Sequence, residues 1–248
     1  MMDKYTVITS TQNEKIKNWC HLHQAKQRNK QREFLVEGEH MIEEAYHAGC
    51  LKQLILVEGV ESSVPCDKLT YVKQEVMNKL STNVSETAMM GVCSFPEVNV
   101  RERDRVLLLD GLQNPGNIGT LIRTAYAFGY DEVICSMDCA DLYNEKTLQA
   151  TQGAIFHLPS LRTDLNGSIE ELKREGFTIV GTSLQEAVAL STVKETRKMA
   201  VVLGNEGNGM RKATMAQCDV LAKIEMKQFE SLNVAIAGGI LLYQFMKK

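Results

Sequence analysis

The chain has 248 residues, enough to bury one large core or two unequal ones. At 44% hydrophobic and 24% charged residues, with 4 prolines and 17 glycines, the composition excludes a disordered or fibrous chain. A formal net charge of −3 argues against wrapping of nucleic acid along an extended basic surface, while leaving room for a local basic patch.

The opening MMDKYTVITS carries no apolar signal core, and no apolar run reaches membrane-spanning length, so a cytoplasmic location and no membrane partner are expected. Cys20, Cys50, Cys66, Cys93, Cys135, Cys139 and Cys218 form no CxxC pair and no His/Cys cluster; reduced thiols and no metal are expected. Thr9 or Ser10 is the candidate cap of a helix over residues 13–27, where Ile16, Trp19, Cys20 and His23 recur at helical spacing. Lys26, Arg28, Lys30 and Arg32 cluster near its end and read either as an RNA contact or as a solvated helix face. A strand at 34–36, a helix at 39–47, a strand at 54–57 and a helix at 73–80 complete a small α/β domain, expected over residues 1–96. The alternating charges from Arg101 to Arg105 read as a solvated linker, assigned to residues 97–104.

From residue 105 to 248 the pattern changes. Apolar runs at 106–109, 133–135, 154–156, 177–180, 200–203 and 220–222 are short and unbroken, as in strands buried on both faces. Helices are expected over 119–128, 145–152 and 168–175, with an apolar helix running to about Phe245. The prediction is a mostly parallel sheet covered by helices, with ligands bound beyond the carboxyl ends of the strands.

Polar residues and glycines follow three of these runs. Residues 110–119 (DGLQNPGNIG) lead into a helix that carries Asn117 and Arg123. Residues 203–209 (LGNEGNG) are neither a P-loop nor a GxGxxG fingerprint; alone they read equally as a tight structural turn or a ligand loop. Residues 229–234 (FESLNV) open the last helix, with Ser231 as its expected cap and Asn233 in its first turn.

Taken in order, NPGNIGTLIRTAYAFG, VVLGNEGNGM and ESLNVAIAGGILLY resemble the three motifs of the SpoU/TrmH family of RNA ribose 2′-O-methyltransferases. NEKIKNW and FLVEGEHMIEEA resemble the substrate-binding domain that precedes the catalytic domain in many members, so the resemblance spans nearly the whole chain. It implies a knotted parallel-sheet α/β domain of the trefoil-knot class behind a small α/β RNA-binding domain. It also implies a homodimer through the C-terminal domain and S-adenosylmethionine as cofactor, held by Thr182, Leu203, Gly204, Asn205, Gly207, Ile224, Met226, Ser231 and Leu232. Asn117, Arg123, Glu206, Ser231 and Asn233 take the family's catalytic positions. Arginine is a poor general base because it stays protonated, so an electrostatic role for Arg123 is expected and the proton acceptor stays open. The implied substrate is structured RNA, ribosomal in preference to transfer RNA; DNA is excluded because it lacks the 2′-hydroxyl. The alternatives are a non-catalytic RNA-binding or ribosome-assembly protein that keeps the fold, a methyltransferase acting on transfer RNA, and a methyltransferase for another nucleophile.

Two stretches depart from the family pattern. Glu145 stands where proline is common and Gln149 where arginine is common, which removes a guanidinium fork. Residues 224–229 (IEMKQF) replace an Ile-Pro-Met-type stretch, so that Glu225 and Lys227 stand near the expected pocket.

Overall fold

In the computed structural model, Asn13 rather than Thr9 or Ser10 caps the first helix, its side chain accepting the Lys15 N–H at 2.9 Å. The residues described are 7–83, 86–97, 102–228 and 231–247; residues 98–101 of the expected linker, and Phe229-Glu230 of the third motif, lie outside them. The chain divides into two compact units, one of Met1–Pro96 with Tyr143–Leu148 and one of Glu97–Leu142 with Gln149–Lys248.

The first unit contains, in chain order, β1 (Val7–Ile8), α1 (Glu14–His21), α2 (Ala25–Gln31), β2 (Glu33–Glu37), α3 (Glu39–His47), β3 (Leu51–Val57), β4 (Leu69–Val72), α4 (Gln74–Leu80) and β5 (Met89–Ser94). Its strands form a mixed sheet ordered β1-β4-β3-β5-β2, in which β5 runs antiparallel to both neighbours. Ile16, Trp19 and Leu22 from the first helical stretch pack with Val76, Met77 and Leu80 of α4 in one core. The single helix expected over 13–27 is two helices. The backbone turns at 22–24, where the N–H groups of Leu22, His23 and Gln24 reach back to Trp19, Cys20 and His21.

Tertiary partners for His23 and Arg28 accompany that turn. Arg28 is 3% exposed and donates to the Leu22 carbonyl at 2.7 Å, with the Glu145 carboxylate 3.9 Å away. This corrects its expected place in an RNA-facing cluster: its cation points inward. Lys26, Lys30 and Arg32 are exposed. His23 places Nδ1 2.7 Å from Glu145 Oε1 and Nε2 3.0 Å from the Leu80 carbonyl oxygen, an arrangement that suits an imidazolium donating from both nitrogens.

The Glu145 hydrogen bond raises the His23 pKa above its ordinary 6.5, against the opposing effect of burial. Burial raises the pKa of Glu145, but the His23 hydrogen bond and the charges of His23 and Arg28 outweigh it and hold that carboxyl low. Because the folded imidazole pKa is raised, its stabilisation is complete below about 6.5 and is lost as pH rises through the folded value. Glu145→Gln is therefore expected to return the His23 imidazole toward its ordinary titration and to remove this loss of stability on raising the pH. Imidazole NMR titration with melting curves at pH 6 and 8 checks both; an unchanged titration would remove Glu145 as the cause.

The second unit contains β6 (Arg105–Asp110), α5 (Pro115–Ala127), β7 (Glu132–Ser136), the end of α6 (Glu145–Thr151), β8 (Ser160–Thr163), α7 (Leu165–Arg174), β9 (Thr178–Thr182), β10 (Val188–Ala189), β11 (Met199–Gly204), α8 (Lys212–Met215), β12 (Val220–Lys223) and α9 (Val234–Gln244). The strands form a sheet ordered β10-β12-β9-β11-β6-β7-β8, with every pairing parallel. All six residues of β6 and of β11 are buried, which explains the unbroken apolar runs Val106–Leu109 and Met199–Leu203 within them. Residues 154–156 are a 3-10 turn, not the expected strand. Gly153 enters it at φ 90°, and three apolar residues buried in a turn look like a buried strand in sequence.

Arg103, expected in a solvated linker, is instead held by three carboxylates, Glu132, Glu171 and Glu175, at 2.6–2.8 Å. Next to it, the Arg105 guanidinium is buried and donates to the Phe245 carbonyl at 2.7 Å, tying the start of β6 to the end of α9. Gly238 of the glycine pair in the last helix has a packing reason: a Cβ there would overlap Leu121 Cδ2 and come within 2.7 Å of Leu203 Cδ1. Its absence lets α9 lie directly on α5 and β11.

Candidate active site

The strand order reverses direction between β6 and β11, since the chain moves outward from β6 to β7 and β8 and later returns to place β11 on the other side of β6. Loops leaving such a pair diverge and open a crevice at the carboxyl ends. The two strands end in register, Asp110 opposite Gly204, so the first two motif loops start side by side.

The first loop is set by its polar residues. Gly111 turns at φ 74° and its N–H donates to Ser136 Oγ at 2.9 Å. Asn114 caps α5, accepting from the N–H groups of Gly116 and Asn117 at 2.9 and 3.3 Å, and Pro115 occupies the first turn, where its missing N–H costs nothing. The helix thus begins four residues before the expected Gly119. The second loop closes on itself through reciprocal bonds between Asn205 and Gly209 of 3.0 and 2.9 Å. Asn205 Oδ1 accepts from the N–H groups of Gly207 and Asn208, while its Nδ2 reaches the Gly111 carbonyl at 2.8 Å.

Glu206 projects from that loop to the first motif. Its carboxylate accepts from Gln113 N–H at 3.3 Å, Asn114 N–H at 3.2 Å and Asn117 Nδ2 at 3.1 Å. Asn117 Oδ1 then accepts from Asn233 Nδ2 at 3.2 Å, and Asn233 Oδ1 caps α9 by accepting from Ala235 and Ile236. The direction is forced: a carboxylate only accepts, so Asn117 must turn its amide NH2 to Glu206 and its oxygen to Asn233. One hydrogen-bonded line therefore joins all three motif segments. Burial pushes the Glu206 pKa up, but the bonds from Asn117, its own backbone N–H, Gln113 and Asn114 outweigh it and hold the carboxyl below its usual range. An acid of that strength is ionised near neutrality and a weak proton acceptor, which suits an anchor more than a base.

Arg123 stands apart from this line. It is exposed on α5, six residues beyond Asn117 and so about 9 Å farther along the axis. It has no hydrogen-bond or ion-pair partner among the described residues of its unit. The cap of α9 is Asn233, which corrects the assignment to Ser231; Ser231 and Leu232 are exposed before it. Thr182 ends β9 and donates to the Val202 carbonyl at 3.3 Å. Leu203 is buried and offers a ligand its backbone only.

β9, β11 and β12 are neighbours and end at Thr182, Gly204 and Lys223. Ile224 and Met226 follow, half-buried and apolar, and Glu225 between them accepts from Ser191 Oγ at 2.8 Å. Backbone donors and acceptors at strand ends, flanked by apolar side chains, suit a flat heteroaromatic ring such as the adenine of an adenosyl group. Among the described residues no group of His, Cys, Asp and Glu is placed to hold a metal ion, and no helix is long and apolar enough to cross a membrane.

Sequence reasoning missed Asp110 and Arg211. Asp110 is 1% exposed and accepts from Arg211 N–H at 2.9 Å and from its Nε at 2.6 Å, with a further close ion pair to Nη2. This clamp closes the base of the glycine loop against the end of β6. A lone Asp at the end of an apolar strand was the available signal, but its partner lies 101 residues away.

Comparison with known proteins gives a consistent result. The model of the SpoU rRNA Methylase family matches residues 104–243, and that of the MRM3-like substrate binding domain matches residues 13–91. A Bacillus subtilis (strain 168) protein named 23S rRNA (guanosine(2553)-2′-O)-methyltransferase RlmP is 37% identical over 242 residues, covering 95% of this chain and 97% of the relative. Among solved structures, the SpoU methyltransferase AviRb from Streptomyces viridochromogenes, in complex with the cofactor AdoMet, is similar at a TM-score of 0.84 and 25% identity, over 94% of this chain and 97% of that one. The AdoMet-bound rRNA methyltransferase from Sinorhizobium meliloti is similar at 0.85 and 25%, over 98% and 97%. The all-parallel sheet of the second unit is typical of their knotted methyltransferase fold.

Proposed function

The chain belongs to the SpoU rRNA methylase family, and from that membership we propose that it methylates a guanosine ribose in the large-subunit ribosomal RNA. It is an S-adenosylmethionine-dependent RNA 2′-O-methyltransferase. The observation that carries the reading is the line Glu206–Asn117–Asn233, which ties three sequence segments into one rigid cleft at the carboxyl ends of β6 and β11.

S-adenosylmethionine supplies a methyl group already activated on a sulfonium. What this chain contributes is position and charge. The backbone at Thr182, Leu203, Gly204, Asn205 and Gly207, with Ile224, Met226, Ser231 and Leu232, holds the adenosyl and methionyl parts. Asn117, braced by Glu206 and Asn233, fixes the floor against which the ribose rests. Arg123 offers a cation to the oxygen as it becomes negative. Placement of two reactants in line is worth several powers of ten in rate, so the rigidity of the floor matters as much as any single contact.

The reading includes a homodimer formed through α5 and α9. Their surface exposes Tyr126, Ile236, Ile240 and Tyr243, an apolar group on the helices that carry Arg123 and Asn233. A second copy of the chain covers this face and brings Arg123 to a cleft completed by both protomers. The enzyme acts in the cytoplasm, on RNA presented there. Lys26, Lys30 and Arg32 of the first unit contact that RNA.

Mapping of ribose methylation across ribosomal and transfer RNA, with and without the gene, tests the substrate. The expected result is loss of one 2′-O-methylguanosine in 23S rRNA, with position 2553, from the name of the B. subtilis relative, as the first to inspect. Loss confined to transfer RNA would overturn the assignment.

A further inference from the structure

The last residue of the basic cluster has an unusual setting. Arg32 follows α2 in the left-handed region, at φ 57° and ψ 36°. Glycine or asparagine is the ordinary occupant of such a helix end, because a Cβ is strained there. The backbone of Arg32 is nevertheless held at both ends: its N–H donates to the Arg28 carbonyl, and its own carbonyl accepts from Phe95 N–H at 3.1 Å. This double attachment sets the side chain beside the Phe95 ring, with the guanidinium carbon 4.3 Å from the ring centroid.

Phe95 is occupied on its other face. Tyr143 stacks on it at 3.9 Å with an interplanar angle of 26°, and two groups at such distances cannot share one face of a ring. Phe34 supports both rings, edge-on to Phe95 at 5.9 Å and tilted against Tyr143 at 4.8 Å. The result is a layered stack in the order Tyr143, Phe95, Arg32, with an exposed cation as its outer layer. Lys26 and Lys30 are exposed on the preceding helix, and neither these lysines nor Arg32 has an ion-pair partner among the described residues.

We propose that the Arg32 guanidinium is a stacking platform for one unpaired base of the substrate RNA. A guanidinium resting on an aromatic ring presents a second flat face, pre-oriented and weakly hydrated, and unstacked RNA bases bind such planes. The ring stack beneath removes the entropy cost of ordering a long side chain, and the nearby lysines suit the phosphates flanking the base. This rests on the reading of RNA as substrate and narrows it: Arg32 reads a base face, whereas Lys26 and Lys30 meet backbone.

The test uses the full chain and an RNA stem-loop carrying 2-aminopurine in its loop, with affinity, salt dependence, fluorescence quenching and methyl transfer to 23S rRNA transcript read on each variant. Arg32→Lys keeps the charge and loses the plane. It is expected to bind about tenfold more weakly, with the quenching lost and the salt slope unchanged. Arg32→Gly, whose backbone suits the left-handed region, is expected to stay folded by circular dichroism and to lose the quenching as well. Lys26→Gln should lower the salt slope by about one unit while keeping the quenching. Arg32→Lys behaving as wild type in affinity and quenching would overturn the platform. If methylation of the transcript persists in that case, the enzyme assignment stands without it. Quenching that depends on Arg32 in a protein that methylates no RNA would uphold the platform and overturn the assigned substrate.

Discussion

Arg123→Ala is expected to lower the single-turnover rate of methyl transfer by a hundredfold or more, with melting temperature and cofactor affinity close to wild type. The side chain is exposed on α5 and has no hydrogen-bond or ion-pair partner among the described residues of its unit, so its removal leaves no buried group unpaired, and alanine favours helix. The loss must then come from the reaction, where removing a donor aimed at a developing negative charge costs about two to three powers of ten. Arg123→Lys should recover part of the rate, since it restores charge without the planar fork. Labelled methyl transfer under single-turnover conditions, alongside thermal melting, checks this. A rate within a factor of two of wild type would remove Arg123 from the mechanism.

Gly204→Ala is expected to be the most damaging small substitution in the cleft. A Cβ on Gly204 would overlap the Met210 nitrogen and the Gly209 carbonyl carbon and lie 2.7 Å from Met210 Cα. These are backbone atoms of a loop closed by the Asn205–Gly209 bonds and clamped at its base by Arg211 on Asp110, so no side-chain rotation relieves the overlap. Relief requires opening the loop, which moves Glu206 away from Asn117. Overpacking of this kind costs about 3 kcal/mol, or roughly 6–12 °C in melting temperature for a domain of this size. Cofactor affinity should fall by at least tenfold, read by calorimetry. Gly207→Ala provides the contrast, because a Cβ there meets only Asn205 Oδ1 at 3.7 Å, an ordinary contact. Its melting temperature should match wild type; equal melting for the two variants would refute the packing argument.

Much of the second unit was legible because buried parallel strands write themselves as short apolar runs. Residues 106–109 and 200–203 fall within β6 and β11, and the polar loops that follow them are those that meet. The same signal misled at 154–156, where a glycine with positive φ makes a buried turn out of three apolar residues. In the first unit, β4 and β5 were not read as strands: LTYV carries little contrast, and Gly91 interrupts MMGVCS. That glycine has a packing reason, since a Cβ would come within 2.9 Å of Leu51 Cδ1 and 3.1 Å of Val36 Cγ2.

The candidate site was legible as a set of residues, not as an arrangement. Order and spacing along the chain determined that Asn117, Glu206 and Asn233 belong to motif loops at strand ends, because hydrophobic runs, glycines and helix caps are local features. Only the tertiary structure decided that Glu206 is a braced anion, that Arg123 stands clear of it, and that Arg28 is turned inward while Arg32 lies on Phe95. The braced anion depends on partners 89 and 116 residues apart along the cleft line, and the settings of Arg28 and Arg32 on the distant Glu145 and Phe95. Such partners meet through strand order and register, which follow from how the whole chain packs and leave no mark on any single segment.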